Sequence, residues 1–332
     1  MDREQDELQF LGIFGICKEA YKIVFSWRKI FSQITLTLIL PLSFIFLAHI
    51  ELSNILLLKI IHNERVLDRT NTNSPRYQRV SDVISSEWAT FWLFKAVYFT
   101  FLLIFSLLST SAVVYTIACI YTGREITYRK VMSVVPKVWK RVMVTFFCTF
   151  MAFFAYNIVA FIVLIIWLVS VALTDAGGII GFFLLIFYFI GFVYLSLIWL
   201  LASVVSVLEE ARGIKAMTKS KALLKGNMWV AAIIFFMLNV LGGLLQFAFQ
   251  KLVVHGYSFG VVGRVAYGFI CLLLLFKLIL FWLVIQTVLY FVCKSYHHEN
   301  IDKSALSDHL EVYLGDYVPL TAKDVQLEQV NV

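Results

Sequence analysis

The chain has 332 residues, 61% hydrophobic and only 15% charged, with a mean hydropathy of +0.86. A soluble domain carries about a quarter charged residues, so water is excluded as the solvent for most of this chain, and lipid takes its place. The net charge of +7 flanks the apolar runs instead of forming a basic module interleaved with aromatics, which argues against nucleic acid and for anionic lipid headgroups as partners.

The apolar runs are unbroken over about 20–30 residues and show no period-2 alternation, so they read as helices and not as barrel strands. The expected fold is all-α: a polytopic membrane helix bundle of six transmembrane helices with amphipathic interfacial elbow helices. It divides into a cytosolic interfacial helix within 1–30, a six-span domain over 31–293 and a cytosolic tail over 294–332.

In residues 1–30, Phe10, Ile13, Phe14, Cys17, Tyr21 and Val24 fall on one helical face. Lys18, Glu19, Lys22, Ser26 and Lys29 fall on the other, where Ile16 and Ile23 interrupt the polar pattern. This predicts a helix lying along the membrane surface. No small-residue cleavage site precedes the first span, which reads as an uncleaved anchor.

Span 1 is expected at 31–50, kinked at Pro41 because proline removes a backbone hydrogen bond. The longest polar stretch between spans, 51–90, contains a turn cluster at Asn71, Asn73, Ser74 and Pro75. Spans 2, 3 and 4 follow at 91–121, 142–173 and 179–208. Only a short turn around Asp175, Gly177 and Gly178 separates spans 3 and 4, which predicts a tight antiparallel hairpin. Spans 5 and 6 are expected at 228–250 and 265–293.

Two connections share a pattern. Over 124–141, Tyr128, Val131, Met132, Val135 and Val138 oppose Lys130, Ser133, Lys137 and Lys140. Over 210–226, Gly213, Ala216, Met217, Ser220, Leu223 and Leu224 oppose Lys215, Lys219, Lys221 and Lys225. Each reads as a short basic elbow helix just before a span, the first ended by Pro136, which then opens span 3. With Arg129, these lysines are the candidate lipid-headgroup residues: Arg129, Lys130, Lys137, Lys140, Lys215, Lys219, Lys221 and Lys225. Glu209 and Glu210, at the end of span 4, are placed to hold elbow lysines.

Nineteen Lys and Arg fall in the N-terminal segment, the two elbows and the tail, against seven in the alternate connections. That bias puts both termini in the cytosol. The membrane itself is either endomembrane or plasma membrane.

Lys277 lies near the middle of span 6, where a charge is costly and commonly faces protein or a water cavity. Asn157, Asn239, Gln246 and Gln286 are span amides that could line the same interior. One reading is a substrate path through Lys277, Asn157, Asn239 and Gln286; the other is a snorkelling or amide-paired lysine. Lys95, near the start of span 2, reads as a snorkelling lysine. Cys119 and Cys293, at cytosolic span ends, are either S-palmitoylation candidates or small apolar residues. The tail residues His297, His298, Asp308, His309 and Glu311 match no metal-ligand spacing. No catalytic or nucleotide-binding motif occurs, so neither catalysis nor a cofactor is expected.

The stretch Val207-Leu208-Glu209-Glu210-Ala211-Arg212-Gly213-Ile214-Lys215-Ala216-Met217, followed by Lys225-Gly226-Asn227-Met228-Trp229, resembles a signature of bacterial YciC-like proteins. It is also similar to the membrane domain fused to some glycerophosphodiester phosphodiesterases, whose catalytic domain has no counterpart here. The whole layout, with the tail Tyr313-Leu314-Gly315-Asp316-Tyr317-Val318-Pro319-Leu320, resembles a plant family of uncharacterised six-span membrane proteins labelled polyadenylate-binding-protein-binding protein. None of these resemblances implies a known activity. The label does imply a docking peptide. Leu310, Leu314, Tyr317 and Pro319 have the spacing of the peptide that binds the C-terminal domain of polyadenylate-binding proteins, with Leu in place of Ala and Tyr in place of Phe. The function expected from all this is a non-catalytic membrane organiser or partner-recruiting protein; the alternative is a carrier or channel.

Overall fold

Six apolar stretches become six long helices in the computed structural model, which describes residues 11–71, 74–124, 126–170, 174, 176–256 and 260–297. In chain order the helices are α1 (Ile13–Ser26), α2 (Arg28–Asp68), α3 (Pro75–Thr122), α4 (Tyr128–Ser170), α5 (Gly177–Leu208), α6 (Ile214–Leu224), α7 (Met228–Val254) and α8 (Gly260–Tyr296). All but α1 and α6 are long and apolar enough to cross a bilayer. The chain is therefore an all-α, multi-pass membrane protein.

The chain divides into two compact units, each built from separated segments. One comprises 31–109 and 236–282, the other 1–30, 110–235 and 283–332.

In the first unit, the π-helical turn Thr35–Ile39 precedes Pro41, and the helix resumes at Leu40. The proline lacks an N–H and crowds the preceding turn. The strain expected as a kink at Pro41 is taken up one turn earlier as a π-bulge. Ser43 Oγ donates to the Ile39 carbonyl at 2.8 Å.

The stretch 51–90, read from sequence as a polar connection, is instead almost wholly helical. Helix α2 runs to Asp68 and α3 starts at Pro75. Asn63 Nδ2 donates to both Glu87 carboxylate oxygens at 2.9 and 2.8 Å. Lys59 Nζ lies 3.1 Å from Glu87, and Trp88 Nε1 donates to Glu64 at 3.3 Å. Farther along, Lys95 Nζ lies 2.7 Å from His49 Nε2 and donates to Ser53 Oγ at 2.9 Å. From the level of Asn63 and Glu87 to that of His49 and Lys95 one partner's number falls as the other's rises, which is the register of an antiparallel hairpin. At 1.5 Å per residue, the 48 residues of α3 extend about 72 Å, well beyond a hydrocarbon core of about 30 Å. Charged and amide side chains therefore hold the hairpin together where apolar packing against lipid ends. The same unit has an apolar core of Leu47, Phe249, Val254, Cys271 and Leu275. Arg264 closes it by donating to Glu51 at 2.9 Å and to the Val253 carbonyl at 2.6 Å.

In the second unit, α4 and α5 form the expected tight hairpin. Tyr156 Oη donates to the Tyr188 carbonyl at 2.7 Å, Tyr188 Oη donates to Asn157 Oδ1 at 3.1 Å, and Trp167 Nε1 donates to the Gly177 carbonyl at 3.1 Å. Phe154, Phe161, Phe183 and Phe187 along this hairpin are each more than half exposed, the surface that lipid covers.

The first elbow differs from expectation. Pro136 does not separate an elbow helix from span 3; it lies inside the continuous α4. Val131, Val134, Val135, Val138 and Val142 form a buried stripe at helical spacing across the proline. Burying a valine gains about 1.5 kcal/mol or more, so five of them outweigh the roughly 3 kcal/mol cost of an interior proline.

Helix α1 buries Ile16, Glu19, Ala20 and Ile23 while Phe14 and Tyr21 stay exposed. The two isoleucines that interrupted the polar face are thus the ones turned into the protein. The aromatic face stays open because a short helix has two apolar stripes to place and the protein covers only one.

Candidate functional site

The end of α5 builds the site. Beyond Leu208 the chain extends at Glu209 (φ −125°, ψ 164°), then turns at Gly213, whose φ of 60° with ψ of −129° belongs to glycine. The Gly213 N–H donates to Thr145 Oγ1 at 2.9 Å, and Thr145 Oγ1 lies 2.6 Å from Ser206 Oγ. A Cβ at Gly213 would lie 3.0 Å from Cys148 Sγ.

From that turn α6 starts, burying Gly213, Ala216, Ser220, Leu223 and Leu224, the face expected from sequence. Ser220 Oγ donates to the Ile198 carbonyl at 2.7 Å, and His297 Nε2 lies 3.1 Å from the Leu223 carbonyl. At the far end Gly226 has φ 102°, and a Cβ there would collide with the Tyr296 ring. Two glycines with positive φ thus bracket the elbow helix.

Glu209 locks it. Its Oε2 lies 2.7 Å from Lys219 Nζ, while Oε1 accepts Tyr290 Oη at 2.5 Å and Lys294 Nζ at 3.2 Å. Burial pushes the carboxyl pKa up. The hydrogen bonds from Lys219 and Tyr290 and the charges of Lys294 and Lys219 outweigh burial and hold it below the usual carboxylate range. The carboxylate stays ionised, with both oxygens committed to donors.

With Lys219 turned inward, Lys215, Lys221 and Lys225 are exposed on the outer face of α6. Arg129, Lys130, Lys137 and Lys140 are exposed on the first turns of α4, and α6 packs against α4. Arg141 of α4 comes together with Arg212 and Lys215 of the elbow. With Val144, Cys148, Glu210, Gly213 and Ile214 they line a cavity of about 720 Å³.

The residues of the candidate path are placed differently. Lys277 and Asn239 belong to one compact unit, Asn157 and Gln286 to the other. Lys277, Asn239 and Asn157 are exposed on their helices, as is Gln246, and Gln286 is buried. Asn157 serves helix packing, through Tyr188 and the Phe153 carbonyl. Lys95 is not a snorkelling lysine: His49 and Ser53 bind it, and the Phe91 ring centroid lies 5.0 Å from its Nζ. His49 in turn stacks on Tyr98 with centroids 3.6 Å apart. Cys119 and Cys293 are buried, which removes both as accessible acylation sites. Among the described residues no three His, Cys, Asp or Glu side chains gather as a metal site. The docking positions Leu310, Leu314, Tyr317 and Pro319 lie outside the described residues.

A family model matches residues 1–330, nearly the full length, and is described as a domain of unknown function, DUF8558. The chain belongs to the DUF8558 family. No curated protein and no solved structure matches the chain. For this DUF8558 chain, geometry alone carries the functional reading.

Proposed function

We propose that this protein is a non-catalytic membrane organiser that holds anionic lipid headgroups against a basic cytosolic face and recruits partners through its tail. The observation that carries this reading is the fixed elbow. Glu209 and Ser220 seat α6 on the membrane domain and leave Lys215, Lys221 and Lys225 facing outward on a helix that packs against α4. Each such charge near an anionic leaflet contributes about 1 kcal/mol. The charge bias puts this face and both termini in the cytosol, in an endomembrane or the plasma membrane. The tail spacing at Leu310, Leu314, Tyr317 and Pro319, and the label of the plant family that the chain resembles, agree with a recruiting role. The carrier reading would need Lys277, Asn157, Asn239 and Gln286 to share a hydrated interior, and three of the four are exposed on their helices.

The test is affinity capture from native membranes in mild detergent, with lipids and proteins both identified by mass spectrometry. Anionic phospholipid enriched over the source membrane, with the enrichment lost in a Lys221→Gln/Lys225→Gln/Lys130→Gln/Lys137→Gln variant, is the expected result. A lipid composition equal to that of the membrane, unchanged by the substitutions, would overturn the proposal.

A further inference from the structure

Within the basic face, one feature has the dimensions of a discrete site. The open cleft of about 720 Å³ beside Gly213 falls in the range of roughly 300–1,000 Å³ that has room for a whole small ligand and not only a single ion. Its cations come from two elements: Arg141 from α4, and Arg212 and Lys215 from the elbow turn and the first residues of α6. Glu210 is the acidic residue in the same lining, so the lining has a net charge of +2. Two guanidinium groups and an ammonium suit phosphate oxygens, which arginine meets with paired hydrogen bonds. Glu210 offers an acceptor that a bare phosphate has no use for and a hydroxyl does.

The remaining lining is apolar, from Val144, Cys148 and Ile214. Val144 also begins a stripe on α4 of exposed side chains at helical spacing: Val144, Phe147, Met151, Phe154, Ile158 and Ile162. Eighteen residues at 1.5 Å each carry that stripe about 27 Å, close to the hydrocarbon thickness of a bilayer. A charged, roomy head end thus leads directly onto an apolar track long enough for acyl chains.

We infer that this cavity binds one phospholipid whose headgroup is a phosphorylated polyol, with Arg141, Arg212 and Lys215 on its phosphate, Glu210 on a hydroxyl and an acyl chain along α4. The inference rests on the proposal that this face meets cytosolic headgroups, and it narrows that proposal from a charged surface to a stoichiometric site.

The test is native mass spectrometry of the full chain in detergent, titrated with phosphatidylinositol 4-phosphate, phosphatidic acid or phosphatidylcholine of matched acyl chains. Soluble inositol phosphate serves as the headgroup alone. The expected result is saturation at one equivalent of phosphatidylinositol 4-phosphate, with phosphatidic acid, phosphatidylcholine and the soluble headgroup all weaker. Arg212→Gln/Lys215→Gln weakens that equivalent about thirtyfold. Arg76→Gln/Arg79→Gln, which removes the same charge from the α2–α3 hairpin, leaves it unchanged. Should the double variant lose its fold, Arg212→Lys keeps the charge, removes the fork and still weakens binding. Wild-type affinity in both cavity variants, or binding that climbs without stopping at one equivalent, overturns the site. Phosphatidic acid binding as tightly overturns the polyol. Anionic lipid enrichment from native membranes without the single equivalent rejects the cavity alone; loss of both rejects the basic face with it.

Discussion

Replacing Glu209 by Gln tests the lock on the elbow. The side chain is 15% exposed and accepts from two cations and a phenol. The amide keeps the shape but removes the negative charge that Lys219 and Lys294 share. Losing one partner of a largely buried ion cluster costs about 3 kcal/mol, or roughly a 150-fold rise in the population of the opened elbow. Cys293, fully buried and adjacent to Lys294, is a natural reporter. Its modification by a thiol reagent, read peptide by peptide in mass spectrometry at neutral pH, should accelerate by about that factor in Glu209→Gln. The wild type should show the same opening with acid. A depressed carboxylate pKa gives stability that is complete above the unfolded value of about 4.3 and is lost as pH falls through the lower folded value. Referred to the labelling of the unfolded chain at the same pH, which removes the pH dependence of the thiolate itself, wild-type labelling therefore rises below about pH 4.3, and the Gln variant loses that rise. Equal Cys293 labelling of wild type and variant at neutral pH would refute the reasoning.

Three further outcomes follow from the same geometry. Gly213→Ala places a Cβ on a backbone with φ 60° and 3.0 Å from Cys148 Sγ; a loss of about 1–3 kcal/mol is expected in detergent unfolding. Thr145→Val removes the acceptor of the Gly213 N–H and the partner of Ser206. It should cost about 1–3 kcal/mol, and less than additively when combined with Gly213→Ala, since both act on one turn. Lys95→Met and His49→Leu should show a coupling of about 0.6–1.7 kcal/mol in a double-mutant cycle, whereas two independent surface groups would show none.

The spans were legible because lipid demands long apolar runs, and α6 because its buried face repeats at helical spacing between two glycines. The length of the α2–α3 hairpin was not. Its helices are held by pairs such as Asn63 with Glu87 and Lys95 with His49, 24 and 46 residues apart, and no local pattern announces them. Pro136 misled for a related reason: a local rule about proline was outweighed by a valine stripe whose burial depends on the rest of the fold. At the site, Glu209 was readable as a partner for an elbow lysine, but Lys219, ten residues away and grouped by sequence with the headgroup lysines, is the one it turns inward. Tyr290 and Lys294, 81 and 85 residues away, belong to another span and were not. The cavity escaped for the same reason, because Arg141 and Arg212 meet only once α4 and the elbow turn are folded together.

The reach of the Glu209 cluster also sets an order of assembly. Its carboxylate is synthesised 81 residues before Tyr290, an interval of about 4–16 s at cellular rates of elongation. For that time Lys219 is the only one of its three donors already made, and the elbow can be latched from one side only. Residues 236–282, which complete the other compact unit, are made in between. The unit that starts with the first residues of the chain is therefore the last to close, and a ribosome that stops before residue 290 releases a protein whose basic face is built but not fastened.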